Sequence, residues 1–148
     1  MKKILLLTLI ILSFTTSVLA GCNLDESRWK WLFSTDKCGC YYDRNTANVK
    51  SESDFEVWIC DYYPGIASCD APVCIEAAKD KEEHYHYKKI EYNTKYYTYM
   101  IKYFLYRDSK GNVIASDEVP FHKAKPVPPN SIGEAQMTKI RADLNQFR

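Results

Sequence analysis

The chain has 148 residues, enough for one domain with a single modest core. Its 20 lysines and arginines face 19 aspartates and glutamates, a formal charge of +1. A balance that close excludes a global field that would draw it to nucleic acid.

In chain order, an export leader comes first. Met1-Lys2-Lys3 is a positive end, Ile4 to Leu12 is apolar, and Ser13 to Ser17 turns small and hydroxylated. The apolar centre is far shorter than the ~20 residues a spanning helix needs. Leu19-Ala20-Gly21-Cys22 closes the run and resembles the lipobox of bacterial lipoproteins. That resemblance implies a thioether-linked diacylglycerol on Cys22, cleavage just before it, and acyl chains of the palmitate class. The alternative is an ordinary signal cut after Ala20, with Cys22 a structural thiol. The expected organisation is a lipoprotein signal peptide over 1–21, an anchor spacer over 22–27 and a single domain over 28–148. Lys2 and Lys3 leave with the leader, so the mature chain carries a formal charge of −1.

All twelve tyrosines lie between Tyr41 and Tyr106, which places sheet in the middle of the domain. Arg28 to Phe33 reads as a first strand, with Trp29 and Trp31 on one face. Cys38 to Asp43 reads as a second, and Arg44 to Ser53 as a loop. Asp54 to Cys60 alternates, with Phe55, Val57 and Ile59 on one face, and predicts a half-buried strand. Pro64-Gly65 ends it. Residues 66–83 read as a stapled loop with a helical turn near Ile75 to Ala78. His84 to Tyr92 is a fourth strand, Asn93-Thr94-Lys95 a turn, and Tyr96 to Arg107 the longest strand. Asp108 to Gly111 is a hairpin loop and Asn112 to Ser116 the return strand. Val119 to Pro129 holds four prolines and predicts irregular chain. Ser131-Ile132-Gly133-Glu134 is a capping box. Met137, Ile140, Leu144 and Phe147 then form one helical stripe over about Ile132 to Gln146. The predicted class is α+β: a twisted antiparallel meander of about five to six strands with a C-terminal α-helix packed on one face by that stripe alone.

Beside Cys22, five cysteines remain: Cys38, Cys40, Cys60, Cys69 and Cys74. Export favours disulfides over a metal cage, and an odd count leaves one thiol over. Cys69 and Cys74 flank a turn, and a bond there closes a small loop worth about 2 kcal/mol. Cys60 with Cys38 or Cys40 is the next expected pair. Cys38 and Cys40 themselves, about 6.7 Å apart if extended, are poorly placed to bond each other. His84 and His86 share a strand face and could hold zinc with Glu82, His122 or Asp61, but nothing fixes a third ligand. The other reading is an exposed strand end, and no metal or other cofactor is expected. There is no glycine-elbow serine, no oriented Cys-His pair and no phosphate loop, so no enzyme is expected. The dense tyrosine series offers a contact face, for which Tyr97, Tyr99 and Tyr103 are the candidates.

The order of Trp31, Tyr42-Asp43, Val57-Trp58-Ile59, Tyr106-Arg107-Asp108, Gly111 to Ile114 and Pro129 to Glu134 resembles the surface-adhesin protein E-like family of bacterial lipoproteins. The likeness runs from about Trp29 to Ile140. It implies a twisted antiparallel sheet with a C-terminal helix on its concave face. It also implies adhesion to host extracellular-matrix proteins. Members join sheet to helix by a disulfide; Asn93 and Lys139 stand in those neighbourhoods here, so that bond is not carried over. The expected function is a lipid-anchored, non-catalytic, protein-binding surface module at the outer membrane or cell surface. Its partners would be the membrane through Cys22, host matrix or other envelope proteins, and no nucleic acid. The alternative is a periplasm-facing envelope lipoprotein with a structural or assembly role.

Stable anchoring needs more than one acyl chain, each buried methylene being worth ~0.8 kcal/mol. Cys22→Ser should therefore release the protein from membranes or leave its precursor uncut. Fractionation and gel migration like wild type would remove the anchor.

Overall fold

The computed structural model describes residues 24–64, 83–118 and 123–146. Cys22, Cys69, Cys74, the predicted turn at Ile75 to Ala78, and Phe147 lie outside them. Among the described residues, eight strands form one antiparallel sheet: β1 (Trp29–Ser34), β2 (Gly39–Asp43), β3 (Asn48–Val49), β4 (Asp54–Tyr63), β5 (His84–Asn93), β6 (Thr98–Asp108), β7 (Val113–Glu118) and β8 (Lys125–Pro126). Their order is β1-β2-β4-β5-β6-β7, a meander, with β3 beside β4 and β8 beside β6. Among the described residues, one α-helix, α1 (Ile132–Asn145), follows. The six long strands meet the expected count. β3 and β8 exceed it because two short stretches of predicted loop each find a free strand edge. β8 even contains Pro126, tolerated where the missing N–H faces no partner strand.

β4 and β5 set the register. Ten consecutive residues pair between them, Asp54 with Asn93 through Tyr63 with His84. Phe55, Val57, Ile59, Ile90 and Tyr92 point to one side and are buried. Slipping either strand by one residue would turn that whole set to the other face. We call this side the helix face, since Met137 and Ile140 of α1 close over it.

β6 contains a bulge. Lys89 pairs with Tyr103 but Ile90 pairs with Ile101, so Lys102 is extra. The bulge resets the alternation. Tyr99 and Ile101 pack against the helix-face core. Tyr103 instead meets Trp58 on the opposite face, ring centroids 5.6 Å apart. β1 has a similar irregularity between Trp31 and Phe33, which buries Leu32 while Trp29 and Trp31 stay on the far side.

The start of α1 follows the capping prediction with one difference. Ser131 Oγ accepts from the Glu134 amide at 3.2 Å, but the Glu134 carboxylate accepts from Asn130 N–H, one residue before the cap. The expectation that the stripe alone holds the helix is corrected. Gln136 donates to Asp61 at 3.0 Å and Lys139 donates to the Leu32 carbonyl at 3.3 Å. Asp143 accepts from both Lys30 and the Tyr42 hydroxyl. The apolar spacing showed which face docks; the polar residues beside the stripe carried no such signal.

Ile140 is fully buried and Leu144 only half-buried. Ile140→Ala should cost about 2–5 kcal/mol in denaturant unfolding, Leu144→Ala clearly less, and Ser131→Ala about 1 kcal/mol. A Leu144→Ala loss exceeding that of Ile140→Ala would contradict this docking.

Candidate functional site

The face of the sheet away from α1 is the second face. Its residues alternate with the core set: Trp58 and Cys60 on β4, Tyr85 and Tyr87 on β5, and Tyr103, Leu105 and Arg107 on β6 after the bulge. At one end the face is ionic. Glu56 and Glu91 sit directly opposite each other, a like-charge pair that would repel. Lys102 Nζ, from the bulge, lies 2.7 Å from Glu56 and 2.5 Å from Glu91, while Lys89 and Lys50 complete the cluster. Burial alone would raise the Glu56 carboxyl, but Lys102 and Lys89 bring it down to about 2.

The other end is aromatic. Tyr41, Cys60 and Tyr85 are buried there beneath Leu24, Trp29, Tyr62 and Tyr87. The Trp29 and Tyr87 rings are tilted at 5.4 Å, and Tyr85 stacks beside Tyr87 at 6.3 Å. A groove of about 470 Å³ opens over these rings, walled by Arg28, Trp29, Trp58, Tyr87, Leu105 and Arg107 and floored in part by Tyr85. Both arginines are hydrogen-bonded within the fold. Arg28 donates to the buried carboxylate of Asp43 at 2.7 Å and lies 5.6 Å from the Trp29 ring centroid, a cation–π contact. Arg107 donates to the Gly111 carbonyl at 2.9 Å. The hairpin at the groove's rim is tied together by its own hydrogen bonds. Asp108 accepts from the Lys110 and Asn112 amides, and Gly111 takes φ +85°, open to glycine without strain. Such a groove can hold apolar or aromatic groups on its floor and carboxylates or carbonyls at its arginines.

The three tyrosines expected to share a contact face do not. Tyr103 borders the aromatic side of the second face through Trp58. Tyr99 packs on the helix-face core. Tyr97 stands in the turn before β6 at φ 51°, half-exposed. The bulge at Lys102 separates Tyr99 from Tyr103, and no pattern in Tyr96 to Arg107 announces it. The groove residues that sequence reasoning missed carried a signal nonetheless. Trp58 falls at the off-positions of the Phe55-Val57-Ile59 alternation, and Tyr85 and Tyr87 at the off-positions of His84 and His86.

The helix face also carries polar groups. Asp61 is buried, with Oδ2 2.8 Å from Lys88 Nζ and Oδ1 accepting from Gln136. His84 and His86 do share a face, ring centroids 5.1 Å apart, but both are buried, which corrects the exposed-end reading. They pack with Tyr63, which stacks on His84 at 5.0 Å, and His86 meets Tyr106 edge-on at 4.2 Å. Burial first, then Lys88 and His84, push His86 down to about 3. Among the described residues no group of three His, Cys, Asp or Glu is arranged to hold a metal ion. Glu82 and His122 lie outside them.

The expected pairing of Cys60 with Cys38 or Cys40 is corrected as well. Cys60 lies opposite Tyr41 and joins the second-face cluster, whereas Cys38 and Cys40 belong to the helix-face core. The sheet stands between them, and none of the three is in a disulfide. Strand parity was the missed constraint: residues paired across β2 and β4 share a face, and Cys60 pairs with neither cysteine.

No helix among the described residues is long and apolar enough to cross a membrane. No protein-family model matches the chain, and neither the curated proteins nor the solved structures contain a match.

The depressed His86 has a consequence for stability. The fold keeps it neutral, while the unfolded chain protonates it from about pH 6.5 downward. Stability from this group is complete above 6.5 and is lost as pH falls toward 3, at up to ~1.4 kcal/mol per unit. His86→Phe should flatten the stability–pH slope between about pH 6 and 4. An unchanged slope would show that His86 protonates within the fold.

Proposed function

We propose that the chain is a non-catalytic binding module of the cell envelope, lipid-anchored through Cys22, that grips a protein segment in its aromatic–arginine groove. The observation that carries this reading is the groove itself. Trp29, Trp58 and Tyr87 give broad area at low entropic cost, and Arg28 and Arg107 are each already hydrogen-bonded at its rim. Tryptophan, tyrosine and arginine are the residues that dominate binding hot spots. Prearranged side chains lower the ordering cost of association. The resemblance to the surface-adhesin protein E-like family supports an adhesive role, with host matrix or envelope proteins as the class of partner.

One observation favours the second reading, an envelope-facing structural or assembly role. Leu24 packs into the aromatic cluster beneath the groove. Only Asn23 separates it from Cys22. An anchored module would thus hold its groove close to the bilayer, within reach of partners in the same envelope. Protease treatment of intact cells separates the two: cleavage supports surface display, and protection supports the inward-facing role.

The acylated protein, extracted from its native envelope, should capture a partner protein that Trp29→Ala with Arg107→Glu no longer captures. Tyr97→Ala should retain it. Capture undiminished by the groove substitutions would overturn the assignment of the groove.

A further inference from the structure

Cys38 precedes and Cys40 lies within β2, flanking Gly39, and both cysteines turn toward the helix face. Their Sγ atoms are 3.8 Å apart. A disulfide needs about 2.05 Å, so closure asks for a movement of about 1.8 Å. An extended span of about 6.7 Å sits at the long end of the Cα range that disulfides accept, roughly 4.4–6.8 Å. A bond at that limit is more easily reduced than an unstrained one. Sequence reasoning set this span against any bond. The structure adds the missing fact, that both sulfurs already lie in contact on one side. Glycine between them is the residue best able to adjust. An added Cβ there would meet the Tyr41 ring at 3.1 Å, so the strand is tight on its other side.

The two thiols have unequal access. Cys40 is completely buried. Cys38 lines a cavity of about 290 Å³ between the sheet and the start of α1, together with Asp61, Lys88 and Gln136. The Thr35 hydroxyl stands 3.5 Å from Cys38 Sγ. An outer sulfur on a cavity with a second sulfur behind it is the arrangement thiol–disulfide exchange requires. The contact with Cys40 lowers the Cys38 thiol from its usual range, against its own burial, and the same contact together with burial raises Cys40.

We propose that Cys38 and Cys40 are a reversible dithiol–disulfide couple that exchanges with small-molecule disulfides, Cys38 being the attacking sulfur and Cys40 the resolving one. This is independent of what the second-face groove binds. In the first step Cys38 thiolate attacks one sulfur of the incoming disulfide. That S–S bond breaks, and the departing thiolate takes the electron pair and the proton Cys38 gave up. Cys40 then loses its proton and attacks Cys38 Sγ. The mixed disulfide breaks, and the second small thiolate leaves and takes that proton. Two protein thiols become one disulfide, and one small disulfide becomes two thiols.

The test uses full-length protein extracted with its anchor and equilibrated in graded ratios of reduced to oxidised glutathione. It is then quenched in acid, alkylated in denaturant and digested with trypsin. Lys37 and Arg44 bound a peptide that holds Cys38 and Cys40 and no other cysteine. As the oxidised fraction rises, that peptide should pass from doubly alkylated to unalkylated with two hydrogens lost, and return on reduction. Cys40→Ser should accumulate glutathione on Cys38. A peptide doubly alkylated at every ratio, or cross-linked to the peptides of Cys69 or Cys74, would overturn the couple. The wild-type titration decides this by itself if Cys40→Ser does not fold.

Discussion

Everything in this fold depends on strand alternation being held in register across β4 and β5. Phe55, Val57 and Ile59 cannot move to the other face without exposing the core, and Ile90 and Tyr92 bind the neighbouring strand to the same choice. Burying these side chains contributes roughly 1.5–3 kcal/mol each, while the entire domain is stable by only ~5–15 kcal/mol. Once the register is set, every off-position residue is committed to the second face. Trp58, Tyr85 and Tyr87 are brought together there because the other face is needed for the core. The bulge at Lys102 extends that logic to β6. It delivers Lys102 to the Glu56–Glu91 pair and turns Tyr103 and Arg107 toward the aromatic end.

The helix face has its own polar centre in Asp61. A buried carboxylate is costly unless fully paired. Lys88 and Gln136 occupy its two oxygens, and the Tyr92 hydroxyl in turn donates to Gln136 at 3.4 Å. Sheet and helix are thereby joined by a specific contact as well as by Met137 and Ile140. Cys38 shares the cavity that this cluster walls. Oxidation of the Cys38–Cys40 pair would alter that cavity next to the joint between α1 and the sheet.

Much of the fold was legible because its signals are local. The alternation of Asp54 to Cys60, the glycine of the Asp108–Gly111 hairpin and the Ser131–Glu134 cap each act within a few residues. The sheet-plus-helix architecture follows from them. What was not legible depends on pairing. β3 and β8 exist only because β4 and β6 offer free edges to Asn48–Val49 and Lys125–Pro126. The separation of Tyr99 from Tyr103 depends on a bulge that no residue type announces. Cys60 resembled a partner for Cys38 or Cys40 until register placed it opposite Tyr41. His84 and His86 looked exposed beside a charged run, yet Tyr63 and Tyr106 pack against them.

We propose that the two faces divide the work, with the core under α1 and binding on the aromatic second face. Residues 99 and 103 lie on the same strand, four positions apart, on opposite sides of the sheet. The most direct measurement places a photo-crosslinking side chain at each position in turn, in the anchored protein within its native envelope. The division predicts a crosslinked partner from position 103 and none from position 99. Crosslinking from 99 with none from 103 would contradict it and move the binding surface to the helix face.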